Sequence, residues 1–224
     1  VIVDAQRYVI NDGELGSNYF FTIYAENEAN LLFGNKGYGV FRYNETTNGL
    51  EPVSTHKYEN MTLNNILAIS KDSSNNYLFG TSYGLIKYTS ETSYQLFNAK
   101  NGFLNNTIHA ILRNSSDNFW LSTNLGLINF DTKRNVFRSY GFGDGLKVVE
   151  FSDGAAFRDS RTGTLFFGGI NGVVAIRADG RPEQLYMPPV YFDKLSIFGE
   201  QYNLGEFLTR KKETEVLNLQ YDQN

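Results

Sequence analysis

The feature that most constrains this chain is a short motif that recurs four times. The copies read LLFGNKGYGVFRY from Leu31, YLFGTSYGLIKY from Tyr77, FWLSTNLGLINF from Phe119 and LFFGGINGVVAI from Leu165. Their marker glycines, Gly39, Gly84, Gly126 and Gly172, are separated by 45, 42 and 46 residues. A period in the forties matches one four-stranded blade of a β-propeller and does not match a helical repeat unit.

Each repeat predicts four short antiparallel strands. In the third unit these are TIHAILRN, FWLST, LINFD and VFRSY, separated by polar turns near residues 115–118, 124–126 and 132–135. Polar segments such as KDSSNN, NSSDN and RDSRTG fall between strands and are expected to be hairpin turns, not calcium loops. The fourth repeat, from about Val149 to Asp179, shows no convincing outer strand of its own. The sequence therefore predicts an all-β fold, a partial β-propeller with about four blades.

The only tryptophan, Trp120, is either a platform on which a ligand ring stacks or a core residue. The alignment of the repeats places it opposite Leu32, Leu78 and Phe166, all of which are large and apolar. We therefore expect Trp120 to fill the packing layer between neighbouring blades, with only its indole N–H in need of a partner.

Beyond the repeats the composition changes, and three regions are predicted. Residues 1–180 form the C-terminal part of a propeller, 181–189 a Pro-containing linker, and 190–224 the beginning of a second β domain. The segment QRYVI from Gln6 reads as the last strand of an earlier blade, so we expect a larger ring in a longer chain. A partial ring exposes strand edges and apolar blade faces, and we expect missing blades or a second chain beside them.

Composition excludes several classes of function. The net charge of -4 comes from interspersed acids and bases without a basic stripe, so nucleic acid is not an expected partner. No run of about 18 apolar residues is present, so no membrane contact is expected within this chain. With no cysteine and only two distant histidines, His56 and His109, the chain offers no disulfide, no metal constellation and no thiol nucleophile. No G-x-S-x-G elbow occurs either, and we predict no catalytic residue and no cofactor.

A ligand-binding surface is predicted at one end of the blades. Turns between second and third strands lie at the same end as connectors between blades, because the strands that lead into them run in the same direction. The turns contribute Lys36, Tyr83, Asn124 and Asn171, and the connectors contribute Lys100, Asn101 and Asp144. This mixture of amide, charged and aromatic groups suits a polyhydroxylated ligand such as an oligosaccharide.

The repeat unit FWLST, then Gly-Leu, then NGFLNNTIHAIL resembles the two-component regulator propeller repeat. The segment EFSDGAAFRDSRTGTLFFGGINGVVAI, residues 150–176, is similar to the last propeller unit of such proteins. The tail PPVYFDKLSIFGEQY from Pro188 is similar to the start of the immunoglobulin-like Y_Y_Y domain that follows there. The chain departs from the family pattern in three places. Trp occurs only at position 120, where the other copies carry Leu32, Leu78 and Phe166, and the fourth residue of the motif, often Gly, is Ser122 in the third copy. The first copy also has one extra residue before its glycine.

The resemblance implies the periplasmic sensor region of a hybrid two-component histidine kinase, of the kind common in Bacteroidetes. Such a region is the ectodomain of an inner-membrane protein, and its kinase lies outside this chain. The family implies that a glycan breakdown product binds and that the arrangement of a homodimer then changes. Two alternatives stay open at this point, a propeller-fold lyase or hydrolase acting on a polysaccharide, and a protein-interaction propeller.

Overall fold

The computed structural model describes residues 19–27, 30–53, 65–90 and 92–177, together with the backbone of four later strands. The chain divides into two compact units, Val1–Gly180 and Arg181–Asn224. In the described part of the first unit the regular elements are strands and two single-turn 3-10 helices, Ala99–Asn101 and Phe142–Asp144.

The strands of the first unit form four antiparallel sheets in which each strand pairs with the next along the chain. The first sheet contains β1 (Phe20–Ala25), β2 (Leu31–Asn35), β3 (Gly39–Asn44) and β4 (Gly49–Pro52). The second contains β5 (Ile66–Lys71), β6 (Tyr77–Thr81), β7 (Gly84–Ser90) and β8 (Ser93–Phe97). The third contains β9 (Ala110–Arg113), β10 (Asn118–Thr123), β11 (Gly126–Asp131) and β12 (Val136–Tyr140). The fourth contains β13 (Phe151–Arg158), β14 (Leu165–Gly169) and β15 (Gly172–Ile176).

The four sheets are arranged as propeller blades. The innermost strands β1, β5, β9 and β13 contact one another in chain order, and β13 also contacts β1. The predicted all-β propeller with about four blades is therefore confirmed. Its fourth blade has three strands within the described residues, which agrees with the absence of a recognisable outer strand in its sequence.

Apolar layers between neighbouring blades form the core. Their members come mainly from the first three strands of the two sheets that each layer joins. The first layer includes Leu32, Ile66, Ile69 and Phe79, the second Leu78, Ile108, Phe119 and Phe130, and the third Ala110, Leu127, Phe151 and Phe167. Because the layers join sheets and not strands of one sheet, burial of these side chains stabilises the relative placement of the blades.

The predicted hairpin turns are confirmed. They join the first and second strands of the blades, at the end opposite the predicted binding surface. The turn between β5 and β6 is closed by Asp72, whose carboxylate accepts hydrogen bonds from the backbone N–H groups of Ser74 and Asn76 at 2.9 and 2.8 Å. The carboxylate of Asp159 accepts a hydrogen bond from the N–H of Arg161 in the turn between β13 and β14 in the same way. These acidic side chains satisfy turn backbone and need no ion to explain them.

The described backbone of the second unit shows two antiparallel strand pairs. One pairs β16 (Leu195–Ile197) with β17 (Glu200–Tyr202), and the other pairs β18 (Leu208–Lys211) with β19 (Thr214–Leu217). The assignment of 190–224 to an immunoglobulin-like domain stays a prediction. The predicted linker 181–189 and the strand predicted from Gln6 lie outside the described residues.

A cluster of charged and phenolic groups links the first two blades at the end that carries the turns between first and second strands. The carboxylate of Glu26 accepts hydrogen bonds from the Lys71 ammonium at 2.6 Å and the Tyr77 hydroxyl at 2.9 Å, and Arg42 lies 3.6 Å away. Burial opposes ionisation of Glu26, but the hydrogen bonds from Lys71 and Tyr77, with the charges of Lys71 and Arg42, lower the pKa of its carboxyl. The hydrogen bond between Lys71 and Glu26 also raises the pKa of the Lys71 ammonium.

We expect Glu26→Gln to lower the free energy of unfolding at neutral pH by about 1–3 kcal/mol, because a largely buried ammonium loses its counter-charge. A carboxyl with a lowered folded-state pKa stabilises the protein above its ordinary pKa of 4.5. That stability is lost as the pH falls through the lower folded-state value. Urea unfolding between pH 7 and 3 should therefore show the gap between wild type and variant closing below pH 4.5. Exposed Glu45→Gln is the control, and a gap of constant size would contradict the assignment.

Candidate functional site

The structure places the predicted binding residues in the turns and connectors from which they were predicted. Lys36 lies between β2 and β3, Tyr83 between β6 and β7, and Asn171 between β14 and β15. In the second blade, the turn between β6 and β7 lies against the connector that follows β8, because a Cβ added to Gly84 would lie 3.0 Å from the Cβ of Asn98.

Several of the predicted residues already have structural roles. Tyr83 is half-buried against the apolar layer between the first and second blades. The side-chain oxygen of Asn101 accepts a hydrogen bond from the N–H of Asn98 at 3.0 Å and so caps the 3-10 turn. The Lys36 ammonium lies 5.8 Å from the ring centroid of Tyr19. Lys100 and Asn171 are exposed. The role of all these residues in ligand binding stays a prediction.

Asn124 belongs to a chain of hydrogen bonds that joins the third and fourth blades. The imidazole of His109, which directly precedes β9, contacts the Asn124 side-chain oxygen through Nε2 at 2.6 Å. Its Nδ1 contacts the carboxylate of Asp153 on β13. The His109 carbonyl also accepts a hydrogen bond from the N–H of Gly154 at 3.3 Å. His109 is buried, whereas the Asp153 side chain is half exposed.

Sequence reasoning did not identify Asp153. It lies in β13, where the pairing with β14 is irregular between Phe151 and Ala156, so a period-2 pattern does not show which way its side chain points. Both nitrogens of His109 are occupied by oxygen partners. The arrangement therefore fixes the turn that contains Asn124 against the innermost strand of the next blade.

Trp120 packs as the repeat alignment predicts and also contributes to an open pocket. It packs against the apolar layer between the third and fourth blades, with its ring centroid 5.1 Å from that of Tyr140. A cavity of about 220 Å³ lies beside this pair. Its apolar walls come from both blades: Trp120, Leu127, Tyr140, Leu146, Val174 and Ile176.

Asp144 is the predicted binding residue that lines this pocket. One carboxylate oxygen accepts a hydrogen bond from the N–H of Gly141 at 2.9 Å, and the other lies 3.9 Å from the Arg138 guanidinium. That guanidinium in turn lies 4.8 Å from the ring centroid of Tyr140. The pocket thus combines an aromatic pair with one carboxylate that retains hydrogen-bonding capacity.

Comparison with solved structures assigns this architecture. The extracellular domain of a protein described as a hybrid two component system from B. thetaiotaomicron matches 95% of this chain with a TM-score of 0.67 and 27% sequence identity. The resemblance to the sensor region of hybrid two-component systems is confirmed. A second extracellular domain of a hybrid two component system from the same organism matches 98% of the chain, with a TM-score of 0.58 and 21% identity, which supports the fold.

The chain spans 28% of the length of each of these two solved domains. No family model matches the sequence, and no curated protein matches it. Among the described residues, no helix combines the length and the apolar character needed to cross a membrane.

Proposed function

We propose that this chain is part of the extracytoplasmic ligand-sensing domain of a hybrid two-component sensor histidine kinase. The observation that supports this most is the likeness, in sequence and fold over 95% of the chain, to the extracellular domain of a hybrid two component system. The proposal places the chain in the periplasm, as the ectodomain of an inner-membrane protein. Its kinase lies outside this chain, and the chain itself is not an enzyme.

The proposed ligand is a glycan breakdown product. Polyhydroxylated ligands need many hydrogen-bonding groups around apolar surface, and the connector end of the blades offers amides, cations, a carboxylate and aromatic rings. Function on loops over a rigid scaffold is the usual arrangement in such folds. The apolar layers between blades supply that rigidity here.

The proposed signal is a change in the arrangement of a homodimer. A ligand shifts such an equilibrium only by as much as its affinity differs between the two arrangements, so it must contact groups whose positions differ between them. The immunoglobulin-like domain predicted from residue 190 would pass the change towards the membrane.

The enzymatic alternative has one observation in its favour, the contact between His109 and Asp153 near the innermost strands. A general base must lie within hydrogen-bond reach of the proton that it removes from a substrate or nucleophile. His109 is buried and both of its nitrogens have partners, so this pair suits a fixed link between blades better than proton transfer.

Isothermal titration of the ectodomain that contains this chain should give saturable heat with at least one member of a panel of plant and mucosal oligosaccharides. The oligosaccharide should be recovered unchanged after incubation, because the proposal includes no chemistry. No heat with any member would contradict the glycan part of the proposal. Cleavage of a bound oligosaccharide would favour the lyase or hydrolase instead.

A further inference from the structure

The pocket beside Trp120 occupies a place that is filled in the preceding pair of blades. The connector after β8 and the connector after β12 have the same local structure, a 3-10 turn that ends at a left-handed glycine, Gly102 or Gly145. The two connectors can therefore be superposed position by position. The corresponding residues are Phe97 and Tyr140, Phe103 and Leu146, and Leu78 and Trp120.

In the preceding pair, aromatic side chains close the space. Phe103 is buried, with its ring centroid 4.5 Å from that of Phe137 and 6.5 Å from that of Phe97. Leu146 is smaller than Phe103 and only half-buried. The corresponding space beside Leu146 and Trp120 is a cavity with an aromatic wall.

The cavity presents polar groups beside its apolar walls. The carboxylate of Asp144 has one oxygen whose nearest charged partner, Arg138, is 3.9 Å away, beyond hydrogen-bond distance. The hydrogen bonds of the described residues include none from the indole N–H of Trp120, and that atom is not among the buried unpaired ones. Solvent or a ligand can therefore reach it. The lining thus offers an acceptor and an apolar surface within one small volume.

The size and charge of the cavity narrow the class of ligand. Pockets for drug-sized ligands measure roughly 300–1,000 Å³, so 220 Å³ admits about one six-membered ring. An acid beside aromatic rings would also suit an organic cation. Here Arg138 already faces both Tyr140 and Asp144, and it would repel a second cation. A neutral ring with an apolar face and hydroxyl groups fits both the shape and the charge.

We propose that this cavity is a subsite for a single pyranose unit, with the sugar ring on Trp120 and Tyr140 and a hydroxyl group on Asp144. The inference rests on the proposed glycan-sensing function and assigns a place to it. It also makes Trp120 both a packing residue and a recognition residue.

Trp120 is the only tryptophan of the chain, so fluorescence excited at 295 nm reports on this site alone. The probes are the methyl glycosides of glucose, galactose, mannose, xylose and N-acetylglucosamine, with choline as the cationic probe. We expect a saturable change in Trp120 emission with at least one glycoside and none with choline. Heats of binding of the same probes are measured in parallel by calorimetry.

Two variants test the site in opposite ways while keeping the fold. Trp120→Leu restores the residue found at Leu32 and Leu78, and Leu146→Phe restores the residue found at Phe103. Each should weaken glycoside binding by at least about tenfold, because the first removes the stacking surface and the second fills the cavity. Both should keep a cooperative urea transition, with a lower midpoint for Trp120→Leu because that change also removes packing between the blades. Val136→Thr, an exposed change on β12, should leave binding unaltered.

The outcomes separate the location of the site from the function. Calorimetric binding that persists in both variants, with unchanged Trp120 emission in wild type, would overturn the subsite and leave glycan sensing intact. Binding of choline in place of every glycoside would also overturn the subsite. Absence of heat with all glycosides, in the chain and in the ectodomain that contains it, would overturn both proposals.

Discussion

Gly126→Ala is expected to destabilise the protein by about 4 kcal/mol or more, at the upper end of single substitutions. Gly126 opens β11 with a φ of +120°, a conformation that costs a residue with a side chain on the order of 1–3 kcal/mol. A Cβ there would also overlap the carbonyl oxygen of Tyr140 and lie 3.0 Å from its carbonyl carbon. Because these atoms are backbone, relief requires β12 to move away from β11. The urea dependence of far-UV circular dichroism measures the loss.

Gly172→Ala is the matched control for this substitution. Gly172 holds the equivalent position of the fourth repeat with a φ of +141°, yet the nearest atom to its added Cβ is a methyl group of Val148 at 3.5 Å. It therefore has a similar backbone strain without the overlap, and we expect a loss of about 1–3 kcal/mol. Equal losses of unfolding free energy for the two substitutions would show that the close approach of the Tyr140 backbone to Gly126 contributes nothing to the effect.

The same marker glycines explain why the fold could be predicted from the sequence. A glycine that recurs every 42–46 residues at a turn fixes where each hairpin reverses, and alternating apolar residues fix which side of each strand is buried. Both signals lie in short stretches of sequence, so they can be recognised without knowledge of the tertiary structure. The fourth repeat shows no recognisable outer strand, and the fourth blade has three strands within the described residues.

The candidate site could be predicted only in part, because it depends on differences between repeats. Ser122 stands where the other copies have Gly34, Gly80 and Gly168. At Gly34 and Gly80 an added Cβ would lie within about 3.0 Å of Ile66 and Ile108 of the following blade. The pairing of β13 with β14 shifts by more residues between Phe151 and Ala156 than that of β5 with β6 between Ile66 and Ala68. A single sequence shows the exchange but not the distortion that places Asp153 against His109.

The pocket beside Trp120 illustrates the same limit. Alignment of the repeats correctly indicates that Trp120 packs between blades, since its counterparts are apolar. It does not indicate that Leu146, twenty-six residues later, is too small to fill the space that Phe103 fills in the previous pair. Cavities arise from sums of side-chain volumes across two blades, and such sums require the packing to be known.

Phe130→Ala is the second substitution with a large expected effect, a loss of about 3–5 kcal/mol in the free energy of unfolding. Phe130 on β11 is fully buried, and its ring centroid lies 5.0 Å from that of Phe97 on β8 in an edge-to-face arrangement. The side chain therefore joins the second and third blades as well as filling the core. Loss of it leaves a cavity that backbone hydrogen bonds on both sides prevent from collapsing.

Phe157→Ala makes the same chemical change on the exposed face of the fourth blade, where Phe157 is 63% exposed. Little apolar surface leaves water there on folding, so we expect a loss below about 1 kcal/mol, set mainly by strand preference. Urea midpoints of the two variants, compared with wild type, separate burial between blades from the intrinsic preference of phenylalanine for strands. If Phe157→Ala lowered the free energy of unfolding as much as Phe130→Ala does, the layers between blades would not be the main source of stability. The propeller would then depend instead on contacts that cover its fourth blade.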